Sequence, residues 1–155
     1  MILSAQSIRR RGIFTPFCER SKAYGLSYGL SAAGYDVRIA KYDYLAPGGF
    51  CLASTIERFD MPNDLLGRVA DKSTWARRGL AVQNTIIEPG WCGHLTLELS
   101  NHGRWFVEIE AGTPIAQIIF ELLDEPTEQP YRGRYQDQPA YPVPARLIDD
   151  KEDAF

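Results

Sequence analysis

Short apolar runs, each broken after a few residues by Gly, Pro, Asn or Asp, set the pattern of this chain. YDVRI at 35–39, GFCLASTIERF at 49–59, LLGRVA at 65–70, GLAVQNTII at 79–87, HLTLELSN at 94–101, RWFVEIE at 104–110 and TPIAQIIFELL at 113–123 all read as strands. Their regular spacing predicts an all-β barrel or sandwich. One helix precedes them: Ser4 is placed to cap a segment through Arg11, and Gly12 to close it in a left-handed turn. DKSTWARRG at 71–79 has room for a single helical turn between two strands, and EPGW at 88–91 is a Pro-Gly turn. From Asp124 onward Pro, Asp, Gln and Tyr replace apolar periodicity, which predicts an extended tail lying over the rest.

Two stretches could carry chemistry. In HLTLELSN the alternation of strand side chains puts Leu95, Leu97 and Leu99 on one face and Thr96, Glu98 and Ser100 on the other. The leucine face belongs to a core. Glu98 then meets either water, as an ordinary solvated charge, or a polar pocket, as a working carboxylate. DKSTWARRG has a similar pair of readings. It is either a solvated basic loop of Lys72, Arg77 and Arg78 around a core Trp75, or a grip on a phosphate chain by Ser73, Thr74, loop amides, Lys72 and Arg77. It lacks the G-x-x-x-x-G-K-[ST] pattern of a P-loop.

Composition narrows the field. A chain of 155 residues with 45% hydrophobic and 12% aromatic residues has material for one core and one domain. A net charge of −3 argues against a general nucleic-acid binder, so any phosphate binding must be local. Cys18, Cys51 and Cys92 are odd in number and far apart, which predicts buried free thiols instead of a disulfide framework. With His94 and His102 the only histidines, and no C-x-x-C or H-x-E pair, the sequence argues against a protein-held zinc site. No stretch reaches the ~18 apolar residues of a membrane span, and MILSAQSIRRRG has no signal-peptide run, so the expected location is cytoplasmic. Asp36 and Arg38 are expected to form a structural pair.

Read in order, the segments DKSTWARRGL, IEPGWCGHLTLELSN, IAQIIF and PYRGRYQDQ closely resemble the dCTP deaminase family, which belongs with the trimeric dUTPases. SAAGYDVRI and LSAQSIRR resemble that family's amino-terminal segments. The resemblance implies an all-β distorted barrel or jelly-roll of the dUTPase-like type with a short N-terminal helix. It implies one domain over residues 1–155, with 124–155 as an extended tail closing over the active site. It further implies a homotrimer with active sites at subunit interfaces, and zinc-independent hydrolysis of dCTP to dUTP and ammonia in dTTP precursor synthesis. Magnesium would ride on the nucleotide triphosphate.

By the same resemblance Glu98 is the catalytic carboxylate, activating the water that attacks C4 of cytosine. Ser73 holds the base or the water, and Arg77 offsets negative charge beside Glu98. Lys72 and Thr74 contact phosphate, with Trp75 and Ala76 lending loop amides. Thr96 and Leu97 read the cytosine edge through their backbone, and Gln117, Tyr131, Arg134 and Gln138 close over sugar and triphosphate. Glu88 is either a turn residue or, like its aspartate counterpart in dUTPases, the seat of a second activity. The chain departs from the pattern in a shorter segment before DKSTWAR, an abbreviated tail between Tyr131 and Arg134, and arginine at 134 where lysine is common. Three rivals stand beside the main reading: a bifunctional enzyme giving dUMP and pyrophosphate, a dUTPase, and a non-catalytic nucleotide-binding barrel. A modified-cytosine nucleotide is a further candidate substrate.

Overall fold

The computed structural model describes residues 1–147. Helix α1 (Ala5–Arg11) begins after Ser4 and ends at Gly12, whose φ of 65° is the left-handed closure expected of a glycine there. Ser4 occupies the cap position but makes no side-chain cap bond. Its hydroxyl lies 3.4 Å from Ser7 Oγ, and its carbonyl accepts the amides of Ser7 and Ile8.

Twelve strands follow among the described residues: β1 (Phe14–Thr15), β2 (Ser21–Ala23), β3 (Leu26–Ser31), β4 (Gly34–Arg38), β5 (Asp43–Leu45), β6 (Phe50–Asp60), β7 (Leu65–Asp71), β8 (Leu80–Val82), β9 (Ile86–Ile87), β10 (Cys92–Asn101), β11 (Val107–Ile109) and β12 (Pro114–Leu122). A single helical turn, α2 (Ser73–Ala76), sits between β7 and β8. All named strand pairs are antiparallel: a four-stranded sheet in the order β1-β6-β10-β8, a six-stranded sheet in the order β2-β3-β4-β12-β7-β9, and the ribbon β11-β5.

The run at 79–87, expected as one strand, is two. Gln83 N donates to Glu98 O and Thr85 N to Gln83 O, so the chain turns between them. β8 then belongs to the four-stranded sheet and β9 to the six-stranded one. This crossing ties the two layers together beside β10. The β2–β3 hairpin and β1 escape the apolar pattern. The hairpin turns on Tyr24 and Gly25, at φ 51° and 74°, a left-handed pair more familiar as Asn-Gly.

The two sheets close on an aromatic core. Phe14 of β1 stacks on Tyr35 of β4 at 3.9 Å between ring centres and meets Phe59 of β6 and Phe120 of β12 edge-on at 4.9 and 5.7 Å. Tyr35, Phe59 and Phe120 are fully buried. Each ring of this kind removes roughly 150–250 Å² from water, so the cluster is the main apolar bond between the layers.

Ion pairs replace the expected Asp36–Arg38 pairing. Consecutive same-face positions on β4 each find a partner outside their own strand, on β6 and just after β7. Arg38 Nε lies 2.8 Å from Glu57 Oε1 of β6, and Glu57 Oε2 accepts the Arg38 amide at 2.9 Å. Asp36 Oδ2 holds Lys72 Nζ at 2.9 Å. Glu57 is wholly buried and spans the layers. Cys18, Cys51 and Cys92 are free and half-buried. Burial, with a hydrogen bond to Asp43, pushes the Cys51 thiol up to about 12, and burial with Asp60 takes Cys92 to about 11. No helix among the described residues is long and apolar enough to cross a membrane. Residues 148–155 of the predicted tail lie outside the described residues.

Removing one member of a buried ion pair strands the other. Glu57→Ala is expected to lower the unfolding free energy by about 3–5 kcal/mol in urea titrations, far more than Glu19→Ala at an exposed pair.

Candidate active site

Strand β10 sets the site. Its Leu97 and Leu99 are buried at 1% and 0% exposure, and they oppose Ala53 and Cys51 of β6. That anchors the register, because a slip of one residue would turn both leucines out of the core. Glu98, between them and opposite Leu52, must then project from the other face. It meets a cavity of about 620 Å³ and not open water. The walls are mainly apolar: Phe50, Leu52, Ile86, Ile87, Trp91, Leu95 and Val143, with Thr85, Thr96, Glu88, Tyr131, Tyr135 and Gln138 among the polar members.

Leu95 keeps its place in the buried core with Leu97 and Leu99, at 8% exposure, and also borders the cavity. Pairing with β6 is irregular between His94 and Thr96, where three β6 residues, Thr55 to Glu57, stand against Leu95 alone. Thr55 Oγ1 fills the gap by accepting the Leu95 amide at 3.0 Å.

The Glu98 carboxylate is in an unusual state. Its Oε2 is shut from solvent and has no hydrogen-bond partner. Burial pushes its pKa above the ordinary value, only partly opposed by its own backbone amide. A carboxylate raised in this way is a stronger base when ionised, and it can return the proton it takes.

The tail supplies the facing wall. Tyr131 N donates to Pro89 O at 2.8 Å, Trp91 Nε1 to Tyr135 O at 2.6 Å, and Gln136 bridges Cys92 N and Gly90 O. Gln138 O accepts the His94 amide at 3.0 Å, while its side-chain Oε1 takes both the Thr96 amide at 3.2 Å and the Thr96 hydroxyl at 2.8 Å. Val143 N donates to the same hydroxyl at 3.1 Å. Gly93 is required for this approach: at φ 136°, a Cβ there would stand 2.5 Å from Gln138 N.

The structure brings some expected site residues together and separates others. Glu98, Thr96, Glu88, Tyr131 and Gln138 line the one cavity. Leu97 gives its side chain to the core and its backbone to the β6 ladder, and the Thr96 amide assigned to base reading is already held by Gln138. Glu88 does not accept amides in its own turn through its carboxylate. Its carbonyl accepts Trp91 N at 3.1 Å, and the side chain reaches the rim exposed.

Residues 72–77 and Gln117 do not line the cavity. Ser73, Thr74, Ala76 and Arg77 are exposed on α2. Trp75 is the plug of that turn, 5% exposed with Nε1 donating to Pro114 O at 2.7 Å, so its side chain is structural. Lys72 is tied to Asp36 and lies 3.4 Å from Ser27 Oγ. Gln117, opposite Asp36 in the sheet, donates to Ser31 Oγ at 3.1 Å. Arg134 exchanges guanidinium-to-carbonyl bonds with Arg146, both at 2.6 Å.

Sequence reasoning passed over Tyr135, Gln136 and the Phe50–Leu52 wall. RYQDQ held the signal for Gln136, which alternates with Gln138 along the tail, whereas Tyr135 is out of that phase. No three His, Cys, Asp or Glu side chains among the described residues form a cluster able to hold a metal ion.

Comparison with known proteins converges on one group. A family model described as dCTP deaminase-like matches residues 30–123. A dCTP deaminase of Campylobacter hominis is 38% identical, the match covering 95% of this chain and 94% of that protein. Those of Campylobacter fetus and Helicobacter pylori are 37% and 34% identical over 92% and 88% of this chain and 94% and 91% of theirs. Among solved structures, the EIAV dUTPase superposes with a TM-score of 0.59 at 20% identity, over 79% of this chain and 97% of its own. The dUTPase of Staphylococcus aureus phage phi11 gives 0.58 at 15% identity, over 76% and 90%. The second pair of likenesses carries the dUTPase-like fold. From the first set and the matched family model, the chain belongs to the dCTP deaminase family.

Proposed function

We propose that this chain deaminates dCTP to dUTP and ammonia, with Glu98 as the general base and acid. The observation that carries the chemistry is the buried, unpartnered Oε2 of Glu98 on the wall of a cavity wide enough for a nucleotide base. Glu98 takes a proton from a water as the water oxygen bonds to C4, and passes it to the adjacent ring nitrogen. The second proton of that water, again through Glu98, goes to the amino group. The C4–N bond breaks, ammonia leaves and C4 keeps the oxygen.

One chain supplies only part of this site. The cavity holds the carboxylate and the tail residues, whereas the basic turn with Ser73, Thr74 and Arg77 faces outward elsewhere. The reading therefore places the active site between copies of a homotrimer, α2 of one copy meeting the Glu98 cavity of the next. Arg77 would stabilise charge at the reacting centre, with Ser73 holding the base or water. Lys72 and Thr74 would meet phosphate, and Lys72 would have to exchange its Asp36 contact for it. Residues 1–155 act as one domain whose tail from 124 closes the cavity, and Tyr131, Arg134, Gln117 and Gln138 complete the enclosure of sugar and triphosphate.

Magnesium rides on the triphosphate in this reading, whose oxygens are the hard ligands it prefers. One neighbour in fold, a phage phi11 dUTPase variant, is described as coordinating a structural Mg(II) ion. Glu88 supports a second reading, in which dCTP is carried through to dUMP, since its exposed carboxylate shares the rim of the same cavity.

Incubation with dCTP and magnesium, following ammonia, dUTP, dUMP and pyrophosphate together, separates these readings. Ammonia with dUTP is the expected result; dUMP with pyrophosphate from dCTP supports the Glu88 reading, and pyrophosphate from dUTP alone a dUTPase. Glu98→Gln is expected to abolish ammonia release while dCTP affinity stays within roughly tenfold, about 1.4 kcal/mol. The sign of the pH dependence follows from burial. Glu98 must be ionised to accept a proton, so kcat/KM is full above its pKa and falls as pH drops through it. That loss should centre above the ordinary 4.5.

A subunit-mixing assay tests the shared site. Glu98→Gln and Arg77→Ala proteins, each inactive alone, should regain deamination when unfolded together and refolded, with about a quarter of sites intact at equal random mixing. A mixture as inactive as its components would place both residues in one subunit's site.

A further inference from the structure

Two buried side-chain oxygens among the described residues have no hydrogen-bond partner: Glu98 Oε2 and Ser54 Oγ. A buried hydroxyl without a partner is rare, and its explanation is sought in an ordered water or in function. The register of β6 and β10 relates the two atoms. Ser54 stands opposite Thr96, and Leu52 opposite Glu98. Opposed residues of an antiparallel pair project to the same face, so Ser54 and Glu98 are diagonal neighbours on the cavity side of the ladder. Cβ atoms so related lie about 7–8 Å apart or somewhat less, and the length of the glutamate brings the oxygens within the span of one or two waters.

The surrounding hydroxyls are all engaged. Thr55 Oγ1 donates to Glu57 O and accepts from Leu95 N. Thr96 Oγ1 donates to Gln138 Oε1 and accepts from Val143 N. The irregular stretch of β6 thus satisfies these neighbours and leaves the Ser54 hydroxyl open, 3% exposed, diagonally across the ladder from the buried, unpartnered oxygen of Glu98.

We propose that Ser54 Oγ anchors an ordered water on the Glu98 side of the ladder and through it positions the water that attacks the pyrimidine ring. Ser54 is then a positioning residue for deamination, and the inference rests on the reading of Glu98 as the general base. The hydroxyl offers one donor and two acceptor sites, so it holds a water in either orientation. It neither gains nor loses a proton over the cycle: both protons of the attacking water pass through Glu98, to the ring nitrogen and to the departing ammonia.

The test compares the parent protein with Ser54→Ala, Ser54→Thr and Glu98→Gln. In Ser54→Ala, kcat for dCTP should fall about tenfold, the scale of one water-mediated contact, with KM within about twofold. The acid limb of kcat should move upward, because the ionised carboxylate has lost its hydrogen-bonded water. The thermal midpoint should change little, since Ser54 Oγ bonds no other group of the protein. Ser54→Thr, which keeps the hydroxyl, should recover most of kcat. A high-resolution crystal structure of the parent should show a water within about 3 Å of Ser54 Oγ, lost in Ser54→Ala.

Parental kcat with an unmoved acid limb in Ser54→Ala overturns the proposal. So does an effect confined to KM, a loss of turnover that tracks a lowered midpoint and is not recovered by Ser54→Thr, or the absence of that water in the parent crystal. Undiminished ammonia release by Glu98→Gln would instead remove the general-base reading, leaving the anchored water to be judged from the crystal alone.

Discussion

The strict two-residue alternation of β10 carries the rest of the structure. Leu97 and Leu99 are locked into the core between two sheets, and Glu98, held between them, has no choice of face. A lone carboxylate on an apolar wall is destabilising, because its charged form is poorly solvated there. Among the described residues, Glu98 alone has a carboxylate oxygen both buried and unpartnered. The aromatic cluster around Phe14 and the wholly buried Glu57, matched by Arg38, supply rigidity on the opposite side of β6 and β4. Rigidity matters, since a one-residue slip would turn Glu98 into the core and Leu97 and Leu99 out of it.

A second constraint is the tail. The chain after β12 has little apolar content of its own, yet it is fixed along β10 by a succession of backbone and amide bonds from Tyr131 to Val143. Gly93 allows the contact, and Gln138 holds it by spending its carbonyl oxygens on the His94 and Thr96 donors. The Thr96 amide is thus held by Gln138. On the proposed reading, a nucleotide that took that edge would have to displace the Gln138 side chain, which would give the tail a part in recognition.

Much of this was legible in the chain. The runs at 35–39, 49–59, 65–70 and 113–123 became β4, β6, β7 and β12 with small shifts at their ends, because each alternates or is apolar throughout. The hairpin at 21–31 was not legible: its strands are rich in Ser and Gly, and its turn uses Tyr24 where Asn would be the usual signal. The split of 79–87 depends on tertiary bonds from Gln83 to Glu98, which no local pattern encodes. For the site, alternation placed Glu98 off the leucine face but left its role open, and Gln138 was named only through the resemblance to the dCTP deaminase family. Asp36 and Arg38 were mispaired because same-face neighbours on one strand look like partners until Glu57 and Lys72 are seen. Trp75 carried two readings, and its indole bond to Pro114 decides for the structural one.

The central claim is that the unpartnered oxygen of Glu98 meets the reacting carbon of a cytosine nucleotide. A crystal structure of Glu98→Gln with dCTP tests it most directly. The account predicts the base inside the cavity, its C4 amino group within about 3–4 Å of the residue 98 side chain, and a basic α2 from another copy at the open side. A nucleotide bound elsewhere, with the cavity vacant and residue 98 remote from the ring, would contradict it.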